Sequence, residues 1–271
     1  MTLEGKVVVI TGGARGMGRA YAHGFLDEGC RVVCGDLSWS GDGAEETQAV
    51  VEAAGGLAVE LDITRDDHIE AAFAATMQRF GTVDVLLNNA GMRQRHLIPP
   101  HGIGKVLGVQ PEDWRRMFDV NVFGTLAMIR TFVQPMLEKR AGSIINVSTT
   151  GTDPRWYRPH SREQPYMASK SALTNLSLYL ANEIAEYNVA VNVLFPPHAA
   201  TTGTREQDII RKEHGIMAAG AVPLKPETVV PLAKFFAAQT ASTGVTGKVI
   251  YAADWNLEHG LGGPDEWLSE G

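Results

Sequence analysis

Cysteine is nearly absent from this chain: two residues among 271, Cys30 and Cys34. Both fall at or within one apolar, strand-like run, where they would stand ~13 Å apart, too far to bridge. A disulfide framework is excluded, and both thiols are expected to be reduced core residues of a cytoplasmic protein, with no metal or redox role. Long apolar runs are also missing; none approaches the roughly 18 residues of a membrane span. Met1–Gly5 carries neither the basic nor the apolar region of a signal peptide. Positive charge is in deficit, with 24 Lys and Arg against 31 Asp and Glu and a formal net charge of -7. That balance argues against nucleic acid or an anionic membrane surface as a partner. Internal repeats, low-complexity segments and linkers are absent too, so 1–271 reads as a single domain, with 258–271 as a C-terminal tail.

What the chain does have is ordinary globular composition, 44% hydrophobic, and 29 glycines. Short apolar runs recur at Val7–Ile10, Arg31–Asp36, Leu57–Leu61, Val83–Leu87, Ser143–Val147, Val189–Leu194 and Lys248–Tyr251. Between them lie segments of helical spacing, such as Ile69, Phe73, Met77 and Phe80. Continuous apolar strands separated by helices predict an α/β fold: a Rossmann-type, doubly wound parallel sheet of about seven strands with helices on both faces. Ligands then bind at the carboxyl ends of the strands. Residues 171–180 carry Leu173, Leu176 and Leu180 on one stripe and Leu178 on another. A helix apolar on more than one side is usually covered on both, often at a subunit contact. Two long connections, Met92–Gly108 and Thr152–Pro165, are expected to be functional loops.

The first strand runs into Thr11-Gly12-Gly13-Ala14-Arg15-Gly16-Met17-Gly18, and a helical pattern starts at Arg19. Glycines at 12, 16 and 18 permit a tight turn, close backbone approach to a pyrophosphate, and close helix-to-strand packing. The helix N-terminus offers N–H groups to the phosphates. The second strand ends at Asp36, whose carboxylate suits both ribose hydroxyls of an adenosine and would repel a 2′-phosphate.

With these features the chain resembles the short-chain dehydrogenase/reductase family, over nearly its whole length. The family's Thr-Gly-x-x-x-Gly-x-Gly is Thr11 to Gly18, its Asp after the third strand is Asp62, and its Asn-Asn-Ala-Gly is Asn88 to Gly91. The resemblance implies that Asp62 contacts adenine and that the Asn-Asn-Ala-Gly segment supports the central strand and lines the cofactor channel. It implies cofactor contact at Gly12, Arg15, Gly16, Met17, Gly18, Asp36, Leu37, Asp62, Ile63, Asn89, Ala90, Gly91, Tyr166, Lys170, Pro196, Ala199 and Thr201. In NADP-using members a basic residue just before the second glycine often holds the 2′-phosphate, and Arg15 stands there. Asp36 opposes that reading, because Leu37 and Ser38 follow it without a cation. The expected cofactor is NAD.

Tyr166-Met167-Ala168-Ser169-Lys170 matches the family's Tyr-x-x-x-Lys. Four residues on a helix place the two side chains one turn apart on one face. An ammonium there favours the phenolate and lowers the phenol from its ordinary value near 10. Tyr166 would exchange a proton with the substrate oxygen while hydride moves to or from the nicotinamide. The resemblance adds that Lys170 holds the nicotinamide ribose. Tyr157 is no competitor, since four residues on it meets Ser161. A hydroxyl closing the fifth strand would bind the substrate oxygen; the pattern favours Thr149, with Ser148 the alternative, and alternation forbids both from pointing inward together. By resemblance Asn121, in Asn121-Val122-Phe123-Gly124, holds a water in a proton relay to Lys170; it also reads as a helix-kinking residue.

The chain departs from the family at three places. Thr152–Pro165 is four or five residues longer than usual and holds Arg155, Trp156, Tyr157, Arg158, His160 and Arg162. The usual Pro-Gly after the sixth strand is Pro196-Pro197, while the polar segment from His198 to Val222 lies where the family has a substrate lid. The tail beyond Ala252 contains Trp255 and Trp267; exposed aromatics there would pack on a neighbour, pointing to a homo-oligomer, a tetramer or dimer. The expected activity is hydride transfer between NAD(H) and a secondary alcohol or ketone, cyclic or aromatic given Trp114, Trp156 and Tyr157. The alternatives are a lyase, epimerase or dehalogenase on the same fold, which generally loses part of these motifs, and a dinucleotide-sensing protein, which needs no tuned phenol. If the long loop is a substrate wall, replacing Trp156 or Arg158 singly will raise KM; unchanged kinetics for both would remove that wall.

Overall fold

A computed structural model describes residues 2–97, 104–156, 163–213, 215 and 223–269. The strands are β1 (Val7–Thr11), β2 (Arg31–Asp36), β3 (Leu57–Glu60), β4 (Val85–Asn88), β5 (Gly142–Val147), β6 (Val189–Phe195) and β7 (Val249–Tyr251). The α-helices are α1 (Gly16–Asp27), α2 (Ala44–Ala53), α3 (Asp66–Phe80), α4 (Pro111–Phe118), α5 (Thr125–Phe132), α6 (Gln134–Lys139), α7 (Tyr166–Glu183), α8 (Thr202–Glu213), α9 (Val230–Ala237) and α10 (Ala252–Glu258). The strands form one seven-stranded sheet in the order β3-β2-β1-β4-β5-β6-β7. Every pairing is parallel. The order reverses between β1 and β4, which opens a crevice where the connections leave in opposite directions.

Both faces of the sheet are covered, and alternate residues of each central strand serve opposite cores. Val8 and Ile10 of β1 pack with Tyr21, Phe25 and Phe236, whereas Val9 packs on the other face with Leu86, Phe132 and Ile144. Hence β1, β5 and β6 are buried at every position, while the edge strands β3 and β7 are not. β4 starts at Val85, later than the apolar run beginning at Val83, although the Asp84 backbone still bonds to Val7 and Ser143 of the neighbouring strands. Asp84 Oδ2 accepts from the Val7 amide at 2.8 Å and its Oδ1 pairs with Lys139. Cys30 and Cys34 are free and buried. Burial pushes the Cys30 thiol up to about 11 and the Cys34 thiol up as well, so both stay protonated. No helix among the described residues is long and apolar enough to cross a membrane.

On α7 the stripe through Leu173, Leu176 and Leu180 packs within the chain, while Leu178 on the other stripe and Tyr179 are exposed in the single chain. One expectation meets a different outcome. The tail aromatics are not exposed: Trp255 stacks on His259 with centroids 4.1 Å apart and packs on Phe235 at 5.2 Å. Trp267 donates through Nε1 to the Leu261 carbonyl at 3.0 Å, and its own carbonyl accepts from Lys225 at 2.7 Å. The tail folds back onto its own chain, because these intrachain rings and carbonyls satisfy it. Phe132 is wholly buried and meets Phe73 edge-on at 5.3 Å. Replacing Phe132 with Ala should cost about 3–5 kcal/mol in urea unfolding; a loss under about 1 kcal/mol would contradict this packing.

Candidate active site

The crevice at the β1/β4 reversal is part of a cavity of about 1820 Å³ along the carboxyl edge of the sheet. One end is built by the glycine turn. Gly12 and Gly16 adopt φ of +64° and +53°, in the left-handed region where a side chain is strained. A Cβ on Gly18 would stand 1.8 Å from the Gly12 carbonyl oxygen, so α1 can approach the turn this closely only with glycine there. No side chain caps α1, whose N-cap is Arg15 in an extended conformation. Its first N–H groups therefore remain for an anion.

Asp36 closes β2 at the same end, and its Oδ2 accepts from the Ala14 amide at 3.0 Å. Arg15 turns toward the segment beyond it, donating from Nη2 to the Ser40 carbonyl at 2.7 Å. Asp62 Oδ1 accepts from the Thr64 amide and hydroxyl at 2.9 and 2.7 Å, which holds the β3 exit against the cavity. Asn89 Nδ2 donates to the carbonyls of Thr11 and Gly12 at 3.1 and 2.9 Å. The Thr11 hydroxyl accepts in turn from the Asn89 and Ala90 amides. The Asn-Asn-Ala-Gly segment thus clamps the glycine turn to β4. Every expected cofactor residue lines this one cavity, from Gly12 through Met17, Leu37, Ile63 and Gly91 to Pro196, Ala199 and Thr201. Uncapped amides at the start of α1 with the Asp36 carboxylate nearby, in one cavity, fit a dinucleotide.

The other end belongs to α7. Tyr166 is its first residue and Lys170 lies one turn on; both are buried. Lys170 Nζ donates to the Val147 carbonyl at 2.8 Å, across the end of β5. Burial, helped by the Arg93 charge, lowers its ammonium to about 8. Burial raises the Tyr166 phenol, and the cations that oppose this are Arg93 and Arg95. The expected lowering by Lys170 is therefore not what this pocket produces: withdrawal from water outweighs the attraction of neighbouring cations.

Both candidate hydroxyl residues, Ser148 and Thr149, line the cavity, contrary to the expectation that only one would face it, and they differ in their partners. Ser148 is buried, donates to the Lys170 carbonyl at 3.1 Å and pairs with Thr174 Oγ1 at 2.8 Å. Thr149 is half-buried and holds only a long contact, 3.4 Å, from the Gly151 amide. Asn121 lies in a π-helical turn, Asp119–Gly124, behind the cavity wall. Its Oδ1 accepts from the Met92 amide at 2.8 Å and its Nδ2 donates to Met92 O and Ser169 Oγ at 3.0 and 2.9 Å. It pins the loop after β4 to α7.

Four arginines line the cavity without having been singled out by motif: Arg93, Arg95, Arg116 and Arg211. The guanidinium of Arg93 stands 5.4 Å from the centre of the Tyr166 ring. Glu163 is buried, bonded to Arg211 of α8 and 3.7 Å from Arg93. Arg95 pairs with Glu206 of α8 at 2.9 Å. Helix α8 is thus tied to the loop after β4 through charges. The only local signal is the alternation of Arg93 and Arg95 directly after Met92, next to the Asn-Asn-Ala-Gly segment. Among the described residues of the long loop, Glu163 and Gln164 reach the cavity, as does Gly151 just before it, while Arg155 faces solvent against Asp153 at 2.7 Å. Trp156 lies in a short helical turn, Pro154–Trp156; Tyr157, Arg158, His160 and Arg162 lie outside the described residues. Trp114 is on α4 and is not among the lining residues.

Comparison with known proteins agrees with this geometry. A family model described as short chain dehydrogenase matches residues 6–210. The chain is 42% identical to a fluoren-9-ol dehydrogenase of a Terrabacter species, over 98% of this chain and 75% of that one. It is 33% identical to a 3beta-hydroxysteroid dehydrogenase of Eggerthella lenta, over 92% of each. In structure it is similar to a 3-ketoacyl-(acyl-carrier-protein) reductase from Brucella melitensis solved with NADH, at a TM-score of 0.77 and 30% identity, covering 92% of this chain and 97% of that one. The chain belongs to the short-chain dehydrogenase family. Replacing Gly18 with Ala should weaken NADH binding at least about tenfold by fluorescence titration, since a misplaced contact at a binding turn costs this much or more; unchanged affinity would show that the turn is not the phosphate cradle.

Proposed function

We propose that this protein interconverts a secondary alcohol and its ketone with NAD(H), as one dinucleotide-binding and catalytic unit, and that its substrate is polycyclic or aromatic. The observation that carries the reading is the convergence of the glycine turn, Asp36, Tyr166 and Lys170 on one cavity. Polycyclic substrates are supported by the cavity's size and by two relatives named for fluoren-9-ol and for 3beta-hydroxysteroids. NAD is favoured over NADP because Asp36 sits where a 2′-phosphate would meet its charge, and Arg15 is held by Ser40.

When bound, the nicotinamide supplies hydride acceptance or donation. The backbone amides of the turn and of the start of α1 take the phosphates, and Asp36 takes the ribose hydroxyls. Asp62 and Ile63 flank the adenine end, and Asn89, Ala90, Gly91, Pro196, Ala199 and Thr201 line the remainder. Thr149 orients the substrate oxygen, because the Ser148 hydroxyl is consumed by Lys170 and Thr174. Tyr166 gives or takes the proton at that oxygen, and Lys170 stands beside it with its ammonium directed by Val147. Asn121 keeps the loop after β4 in register with α7 and so supports the relay to Lys170.

The cytoplasm is the compartment that two buried, reduced cysteines fit. A homo-oligomer is supported by exposed Leu178 and Tyr179 on α7. Tyr166→Phe should lower kcat about 10²–10⁴-fold with little change in the Kd of NADH. Asp36→Ala should raise the KM for NAD and narrow the preference over NADP. Wild-type turnover in Tyr166→Phe would refute the assignment.

A further inference from the structure

Arg93 has no role in the motifs above, yet its charge stands over the Tyr166 ring. It follows Gly91 by two residues, and its amide donates to His96 Nδ1 at 3.1 Å, which fixes the turn Gln94–His96. Burial and the Arg95 charge hold the His96 imidazole down to about 4, so this acceptor remains neutral. The guanidinium lies 5.4 Å from the Tyr166 ring centre, within cation–π range. Behind it stands buried Glu163, three residues before Tyr166, whose carboxylate is shared with Arg211 of α8. Arg211 is fixed again by Asp208 at 2.9 Å, and Asp208 by His198 at 3.0 Å.

Among the described residues, the charged groups that act on Tyr166 come from two directions. Arg93 and Arg95 stand on the loop after β4 and Glu163 on the approach to α7, while Lys170 lies one turn along the helix. Glu206 and Arg211 of α8 reach it only through Arg95 and Glu163, and Arg116 of α4 is occupied with Asp113 on its own helix. Met92, Leu97 and Met117 form an apolar cluster with Tyr166. Lys170 is a cation whose charge is withdrawn as pH passes about 8. A guanidinium does not titrate in that range. Arg93 and Arg95 therefore keep their positive charge near the phenol where Lys170 loses its own.

We infer that Arg93 is a positioning residue for this reaction: held by the Glu163–Arg211 pair, its fixed charge steadies the ionised form of Tyr166. The inference rests on Tyr166 being the proton-transfer residue. It makes α8 part of the same device, since that helix supplies Arg211.

The test is the pH profile of kcat/KM for alcohol oxidation with NAD and a secondary aryl alcohol, in wild type, Arg93→Gln and Arg93→Lys. Alcohol oxidation needs the phenol deprotonated, so removing a nearby cation should move the alkaline rise upward. Arg93→Gln is expected to shift it up by about one to two pH units, with the Kd of NADH unchanged. Arg93→Lys should restore most of the shift. Arg93→Met, similar in reach and uncharged, serves as a second neutral variant. A tyrosinate absorbance titration, taken as the difference from Tyr166→Phe in each background, reads the same midpoint without turnover. A merely structural Arg93 would lower Tm, or activity at every pH, and leave both midpoints in place; that result overturns the inference. An active Tyr166→Phe enzyme would instead overturn the functional reading beneath it.

Discussion

The site depends on a buried polar seam that docks α7 onto β5. From the sheet outward, Asn88 Nδ2 donates to Asn146 Oδ1, and Asn146 Nδ2 donates to Ser177 Oγ, each at 2.8 Å. Ser148 meets the Lys170 carbonyl and Thr174, and Lys170 Nζ meets the Val147 carbonyl. Because these groups are out of water, each lost partner leaves another unsatisfied, at about 1–3 kcal/mol. Nonpolar packing alone would let α7 slide along the sheet. The seam sets its register, and with it the places of Tyr166 and Lys170.

The same burial that gives this precision works against ionisation. Desolvation lowers the Lys170 ammonium and raises the Tyr166 phenol, so both are driven toward their neutral forms. Only charges that cannot escape by titration can offset it. Here they are arginines from the loop after β4, paired with acids on the α7 approach and on α8. Tyr166, the loop after β4 and α8 are therefore joined through Arg93, Glu163 and Arg211.

The sheet was legible because its strands are continuous apolar runs and each is bounded by a turn; even β4 starts only slightly later than its run. The cofactor end was legible because glycine geometry and a strand-end carboxylate obey local rules, and all of those residues meet in one cavity. Thr149 and Ser148 could not be separated until the partners of Ser148 on α7 were in view, since these lie 22 and 26 residues away along the chain. Arg93, Glu163 and Arg211 escaped for the same reason: each sits in a different connection, and their meaning is a distance between loops. The tail misled because Trp255 and Trp267 suggest exposure by composition, while His259, Phe235 and Leu261 cover them in space.

The most direct test of the account is NADH formation from a panel of cyclic and aryl secondary alcohols, with NAD and NADP assayed in parallel. The account predicts turnover with NAD, strongest on polycyclic alcohols, rising with pH as Tyr166 ionises. Turnover with NADP alone would show that Arg15 outweighs Asp36, and tight NADH binding without oxidation of any alcohol would contradict the assignment of this cavity as a dehydrogenase site.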